Sequence, residues 1–173
     1  MGLDLNDLPP PEVMWEGKFV RLLKRGKWEF ASRTNNINAV VVIAEYEGKM
    51  ILVDQPRVGP DCRCVELPAG LVGDDDPNAT PETTAIKELE EETGFTAERV
   101  ERLGEFYASP GMLAESFTLV RAHGVRRIGQ GGGDEHEDII VHLVARADIP
   151  NFLEQKRAEG MGVDVKLLLL LDF

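Results

Sequence analysis

Only two cysteines, Cys62 and Cys64, occur among the 173 residues. One Cys-x-Cys cannot staple a small secreted fold and supplies at most half of a zinc site, so both read as free thiols on a strand-like run. Basic residues are also scarce: 19 Lys and Arg stand against 31 Asp and Glu, a formal net charge of −12. That deficit argues against a nucleic-acid groove and against an anionic membrane surface. Long apolar runs are missing too. The five leucines that begin at Leu167 are far too few to span a bilayer. The opening MGLDLNDLPPPE has neither the basic start nor the apolar stretch of a secretory signal. The expectation is a cytoplasmic protein without nucleic-acid or membrane partners, and no internal repeat is visible.

A hydrophobic content of 43% with 29% charged residues is ordinary for a soluble globule, and the length suits one domain with a short accessory element. Residues 1–12 read as a loose, Pro-rich tail. From Trp15, EGKFVRLLKRGKWEFASR reads as two strands around a turn at Lys24-Arg25-Gly26-Lys27. NAVVVIAEYEGKMILVDQPR reads as a hairpin turning at Glu47-Gly48, its first strand buried on both faces. Cys64 to Leu67 makes a short strand, and Val100–Tyr107, Glu115–His123 and Ile139–Ala145 make three more. The glycines of Gly129–Gly133 suggest a mobile loop. Asp148 and Asp164 read as caps of two C-terminal helices.

The most informative stretch is ELPAGLVGDDDPNATPETTAIKELEEETGF, Glu66 to Phe95. Thr80 followed by Pro81 starts a helix and Gly94 ends it. At 100° per residue, Glu88, Glu91 and Glu92 share an arc of about 100°, with Ala85, Leu89 and Ile86 on the neighbouring arc. One side packs into a core while the next gathers negative charge. Such charge is usually just a solvated face. It is also what a hard cation such as Mg²⁺ requires, since that ion takes carboxylate oxygens together with phosphates and water.

KELEEETGF resembles the end of the Nudix box, and LPAGLV resembles its entry in the branch that hydrolyses ADP-ribose and related nucleotide sugars. The spacing from Gly70 to Lys87 exceeds the usual box by three residues, Lys87 stands where the box has Arg, and Ala79 stands where it has its first Glu. Lys keeps the charge but lacks the planar fork of Arg. The resemblance implies an α/β fold, a Nudix-type α/β/α sandwich with a mixed sheet, plus a small N-terminal β hairpin domain. It divides the chain into residues 1–37 (dimerisation and nucleobase contact) and residues 38–173 (the Nudix hydrolase domain). It further implies a homodimer with exchanged N-terminal domains.

The same resemblance supplies the candidate site. Mg²⁺ or Mn²⁺ would be held by Glu88, Glu91, Glu92, Glu137 and the carbonyl of Ala69. EHEDIIVH resembles the acidic run of the ADP-ribose hydrolases, with Glu135 as general base; Glu91 and Glu92 join it as the catalytic carboxylates. Phe19, Trp28, Glu29 and Arg33 match the segment that contacts the nucleobase. Arg57 matches a diphosphate contact; Glu66 and Leu71 flank the PAG turn. Pro110 and Glu115 belong to YASPGMLAE, a loop typical of this branch. Asp74, Asp75 and Asp76 would bind an extra cation or be solvated. His123 and His142 read as structural.

The implied activity is metal-dependent hydrolysis of a nucleoside diphosphate sugar, ADP-ribose giving AMP and ribose 5-phosphate. One alternative is a GDP-mannose or other NDP-sugar hydrolase. The other is a Nudix-fold protein that binds ADP-ribose without cutting it.

Overall fold

Strand β4 (Ala39–Ile43) alternates its side chains between two separate cores. Val41 and Ile43 enter one cluster, with Met50, Leu52, Val65 and Leu119. Val40, Val42 and Ala44 enter the other, with Ile51, Ala85, Leu89 and Phe95. A strand buried on both faces has nowhere to place a polar side chain, which is why AVVVI is uninterrupted. The computed structural model describes residues 2–35, 37–74, 76–133 and 137–170.

The first three strands, β1 (Glu12–Glu16), β2 (Val20–Arg25) and β3 (Trp28–Arg33), form one antiparallel sheet. The N-terminal hairpin of the sequence reading is therefore a three-stranded sheet. Part of the supposed tail is strand: Glu12 lies opposite Lys24 and Glu16 opposite Arg21, pairing unlike charges across strands. Leu5–Asp7 is a 3-10 turn, and the Arg25 guanidinium donates to the carbonyls of Leu5 and Pro9. The β2–β3 turn falls at Gly26-Lys27, with Gly26 at φ 62°.

Among the described residues the rest of the chain builds two mixed sheets where one was expected, and a separate two-stranded antiparallel pair, Arg126 opposite Thr96 and Arg127 opposite Phe95. Strands β5 (Glu45–Tyr46) and β6 (Lys49–Arg57) flank Glu47 and Gly48, whose φ values of 50° and 74° make the tight hairpin turn read from Glu-Gly. The hairpin's first arm does not continue into β4, however. The chain changes sheets at Ala44, where the Ile51 amide donates to the Ala44 carbonyl across the corner. Thereafter come β7 (Cys62–Glu66), β8 (Ala69–Leu71), helix α1 (Pro81–Thr93) and β9 (Phe95–Thr96). The long hairpin β10 (Arg99–Tyr107) and β11 (Ser116–His123) follows, then β12 (Arg126–Arg127) and β13 (Ile140–Ala145). Helix α2 (Ile149–Ala158), β14 (Gly162–Val163) and a 3-10 turn at Val165–Leu170 complete the chain.

One sheet runs β10-β11-β4-β8, with β4 parallel to β11; the other runs β13-β6-β7-β14, with β14 parallel to β7 and β5 attached to β6. Helix α1 closes one core through Ala85 and Leu89. Helix α2, through Ile149 and Leu153, and the last turn, through Leu167 and Leu170, close the other. Sheets thus lie between helices, the α/β/α layering expected. Asp164 caps the last turn, accepting from the Lys166 amide at 2.7 Å, whereas Asp148 makes no side-chain cap bond to α2.

Candidate active site

Helix α1 begins where Thr80 accepts from the Thr83 amide while the Thr83 hydroxyl accepts from the Thr80 amide, a reciprocal cap worth about 1 kcal/mol. It ends at Gly94, in the left-handed conformation at φ 72°. Leu89 and Ala85 anchor its apolar side. The next arc then delivers Glu88 and Glu92 to a cavity of about 1080 Å³ between helix and sheets.

Glu92 is 3% exposed and its Oε2 accepts from the Ala69 amide at 3.1 Å. That single bond does not offset its surroundings. Burial first, and then the carboxylates of Glu88, Glu137 and Glu66, push the Glu92 carboxyl up to about 8. Glu88 lies so close beneath Gly70 that a β-carbon there would collide with its carboxylate. The glycine of the PAG turn thus leaves room for the Glu88 side chain. Oxygen donors held together at such cost suit a hard divalent cation, which would favour their ionised forms. Among the described residues, no three His, Cys, Asp or Glu side chains form a ready cage.

The cavity also collects Ala69, Leu71 and Glu137. Its substrate-binding candidates come as ion pairs. Arg57 grips Glu66 with both ends of its fork, 2.7 Å at each contact, and Arg33 donates to Glu115 at 2.8 Å. The first pair spans the β6–β7 ladder from end to end, Arg57 lying opposite Cys62 and Glu66 opposite Val53; the second joins β3 to the mouth of β11. The same seam is made by backbone: the Ala31 amide donates to Met112 O and the Ala114 amide donates to Ala31 O.

Other candidates lie outside the cavity lining. The Glu91 carboxylate is about half exposed and meets Lys87 Nζ at 3.1 Å one turn away. Phe19 and Trp28 are exposed, each beneath a lysine ammonium, Lys18 at 4.7 Å and Lys27 at 4.9 Å. Glu29 and Pro110 are exposed. Glu135, with Asp134, His136 and Asp75, falls outside the described residues. Asp76 accepts from the Asn78 amide at 2.9 Å in a local turn.

Three features escaped the sequence reading. Lys166 brings a cation to the cavity, 2.5 Å from Asp164 and over the Phe117 ring; its only sequence signal was the Asp164 cap two residues earlier. The glycine segment is not loose. The Gly129 amide donates to Gly94 O, Gly132 to Glu92 O and Gly133 to Glu91 O, so the segment closes the carbonyl end of α1. Gly131, at φ 71°, has no room for a β-carbon against the Thr93 backbone. Finally, Asp54, Arg63, Asp138 and His142 form a bonded cluster behind the cavity.

The sequence profile of the NUDIX domain matches residues 34–161. The chain belongs to the Nudix family. It is 38% identical over 111 residues to the ADP-ribose pyrophosphatase of Bacillus subtilis, spanning 60% of this chain and 58% of that one. It is 34% identical over 155 residues to the GDP-mannose pyrophosphatase of Cronobacter sakazakii, covering 85% of this chain and 76% of that protein. The methanol dehydrogenase activator of Bacillus methanolicus is 32% identical over 156 residues, covering 84% and 82%. A crystal structure titled ADP compounds hydrolase superposes with a TM-score of 0.70 at 22% identity, over 94% of this chain and 90% of that one, which shows the shared fold. The family assignment makes this chain a Nudix hydrolase, with α1 carrying the end of its box.

Proposed function

We propose that this Nudix hydrolase cleaves the pyrophosphate bond of a nucleoside diphosphate sugar, with ADP-ribose as the leading substrate and AMP and ribose 5-phosphate as products. The observation that carries the reading is the collection of Glu66, Glu88, Glu92 and Glu137 in one cavity, with Glu92 held against its own ionisation. Glu88, Glu91, Glu92 and Glu137 with the Ala69 carbonyl would hold Mg²⁺ or Mn²⁺. When bound, such an ion neutralises charge on the diphosphate and activates water.

This chain's residues divide the remaining work. The Ala69 amide fixes one oxygen of Glu92 and leaves the other for the cavity. Arg57, whose Nε and Nη2 are taken by Glu66, would offer its remaining guanidinium hydrogens to a phosphate, and Glu66 keeps the group oriented at the cavity wall. Arg33, held by Glu115, presents its guanidinium beside the N-terminal sheet, where a purine could stack. Glu135 is assigned the proton-accepting role by its place in the acidic run.

The exposed apolar residues of the N-terminal sheet, Val13, Trp15, Phe19 and Trp28 among them, support a homodimer whose N-terminal domains are exchanged, with Phe19 and Trp28 completing the neighbouring site. The division at residues 37 and 38 belongs to the same proposal. No helix of the described residues is long and apolar enough to cross a membrane, and a cytoplasmic setting accords with the two free thiols.

A GDP-mannose pyrophosphatase among the relatives favours one second reading, a GDP-mannose or other NDP-sugar hydrolase. A product assay on ADP-ribose, GDP-mannose, ADP-glucose, NADH and diadenosine polyphosphates, with Mg²⁺, with Mn²⁺ and with EDTA, separates them. The highest kcat/KM on ADP-ribose, abolished by EDTA, is the expected result. Preference for GDP-mannose moves the assignment to the second reading, and inertness on the whole panel overturns both.

A further inference from the structure

Strand β7 sends alternate side chains to opposite faces of its sheet. Cys64 and Glu66 line the cavity; Arg63 does not. On the far face Arg63 donates through Nε to the Asp54 carboxylate at 2.5 Å and through Nη2 to the Asp54 carbonyl at 3.0 Å. Asp54 is 1% exposed, and its second oxygen meets His142 Nε2 at 2.5 Å. The His142 ring in turn packs on Phe152 of α2. The guanidinium is therefore fixed before it touches anything else.

Its remaining hydrogens reach across 75 residues of sequence to Asp138. Nη1 donates to the Asp138 carboxylate at 2.6 Å and Nη2 to the Asp138 carbonyl at 2.9 Å. Asp138 directly follows Glu137, which lines the cavity and packs over Gly133. Consecutive residues thus face opposite ways: Glu137 toward Glu92, Asp138 toward Arg63. A lone pair with an exposed Asp contributes little. Here one partner is already immobilised by a buried carboxylate, and the second contact is to backbone, which fixes the chain rather than a side chain.

We propose that Arg63 is a positioning residue: bound to buried Asp54, it holds Asp138 from behind the sheet and so sets the direction of the Glu137 carboxylate into the cavity. This rests on the assignment of Glu137 as a ligand of the divalent ion. Partners behind a metal ligand commonly change metal affinity or activity by about 10–100-fold.

The test uses the full chain and Mn²⁺ alone as the probe, with affinity measured by calorimetry. Arg63→Lys, which cannot reach both aspartates with a planar fork, and Asp138→Asn, a surface change, are compared with Glu137→Gln and the unaltered protein. Expected is an Mn²⁺ dissociation constant raised about 10-fold or more in Arg63→Lys and less in Asp138→Asn. Excess Mn²⁺ should restore kcat in both, with KM for ADP-ribose unchanged, but not in Glu137→Gln. Should Arg63→Lys lower the melting temperature severely, Asp138→Asn decides alone. Ordinary Mn²⁺ affinity in Asp138→Asn and Arg63→Lys, with Glu137→Gln impaired, overturns the role of Arg63 and leaves Glu137 in place. Ordinary affinity in Glu137→Gln overturns both.

Discussion

The Ala69 amide points at the Glu92 carboxylate from 3.1 Å, joining the strand after the PAG turn to the last turn of α1. It is the one bond that lowers the pKa of a carboxyl which burial and three neighbouring carboxylates raise to about 8. An ordinary glutamate in the unfolded chain titrates near 4.5. In metal-free buffer the folded protein therefore binds this proton more tightly than the unfolded chain does. The associated stability is fully present below about pH 4.5 and is lost as pH rises through about 8. Urea unfolding in EDTA should show stability falling by a few kcal/mol, at order of magnitude, across that window. Glu92→Gln should flatten the slope, and Mg²⁺ should flatten it in the unaltered protein. With Mg²⁺ present, the same variant should lose turnover on the order of 100-fold or more.

Gly131 and Gly129 differ in what they tolerate, although both sit in the segment that closes α1. Gly131 has φ 71° and the Thr93 backbone against its α-carbon; a β-carbon on Gly129 would meet only the Gly94 α-carbon, at 3.9 Å. Gly131→Ala should destabilise the protein by about 1–3 kcal/mol in urea and weaken Mn²⁺ binding by shifting Glu91 and Glu92. Gly129→Ala should stay within about 0.5 kcal/mol. Equal effects would remove the cap as the reason for the glycines.

Arg33 and Glu115 lie 82 residues apart and meet at 2.8 Å, each about a quarter exposed. A double-mutant cycle to Ala in both positions should give a coupling of about 0.5–1 kcal/mol in stability. Removing Arg33 should raise KM more than it lowers kcat if the guanidinium binds substrate. An unchanged KM would confine Arg33 to joining the two sheets.

Burial and the neighbouring Cys62 push the Cys64 thiol up to about 11. At pH 8 its thiolate fraction is on the order of 100-fold below that of an unperturbed cysteine. Iodoacetamide should label Cys64 slowly, with a rate still climbing above pH 9. Rapid labelling at pH 7 would show that the thiol is not held up in this way.

Helix α1 was legible to the residue because its signals are local. Thr80, Pro81, the Ala85/Leu89 stripe and Gly94 each act within one turn of the boundary they set. The placement of Glu88 and Glu92 followed from the same periodicity. Glu91 shared their arc, yet its side chain goes to Lys87, because a lysine four residues earlier competes for it. Strand content was legible and strand pairing was not. Nothing local in AVVVIAEY tells that the chain changes sheets at Ala44, since both sheets offer apolar surface to that run. The glycines of 129–133 read as a mobile loop, and the bonds that tie the segment down were not legible because their partners, Glu91, Glu92 and Gly94, belong to α1 and its cap, outside the segment. Arg63 looked like any strand cation until Asp138 was brought to it.

Ala31 donates its amide to Met112 and accepts from Ala114, while two residues on Arg33 holds Glu115. The loop after β10 is in effect an extra edge of the N-terminal sheet. Ser116 and Phe117, which follow at once, are cavity wall. A cut between residues 37 and 38 would therefore part elements that share a seam of backbone bonds and an ion pair. Excising residues 1–33 would strip the loop of its backbone partners, leave Glu115 without its counter-charge and take Arg33 out of the cavity lining, so the N-terminal sheet reaches the cavity through its last residue.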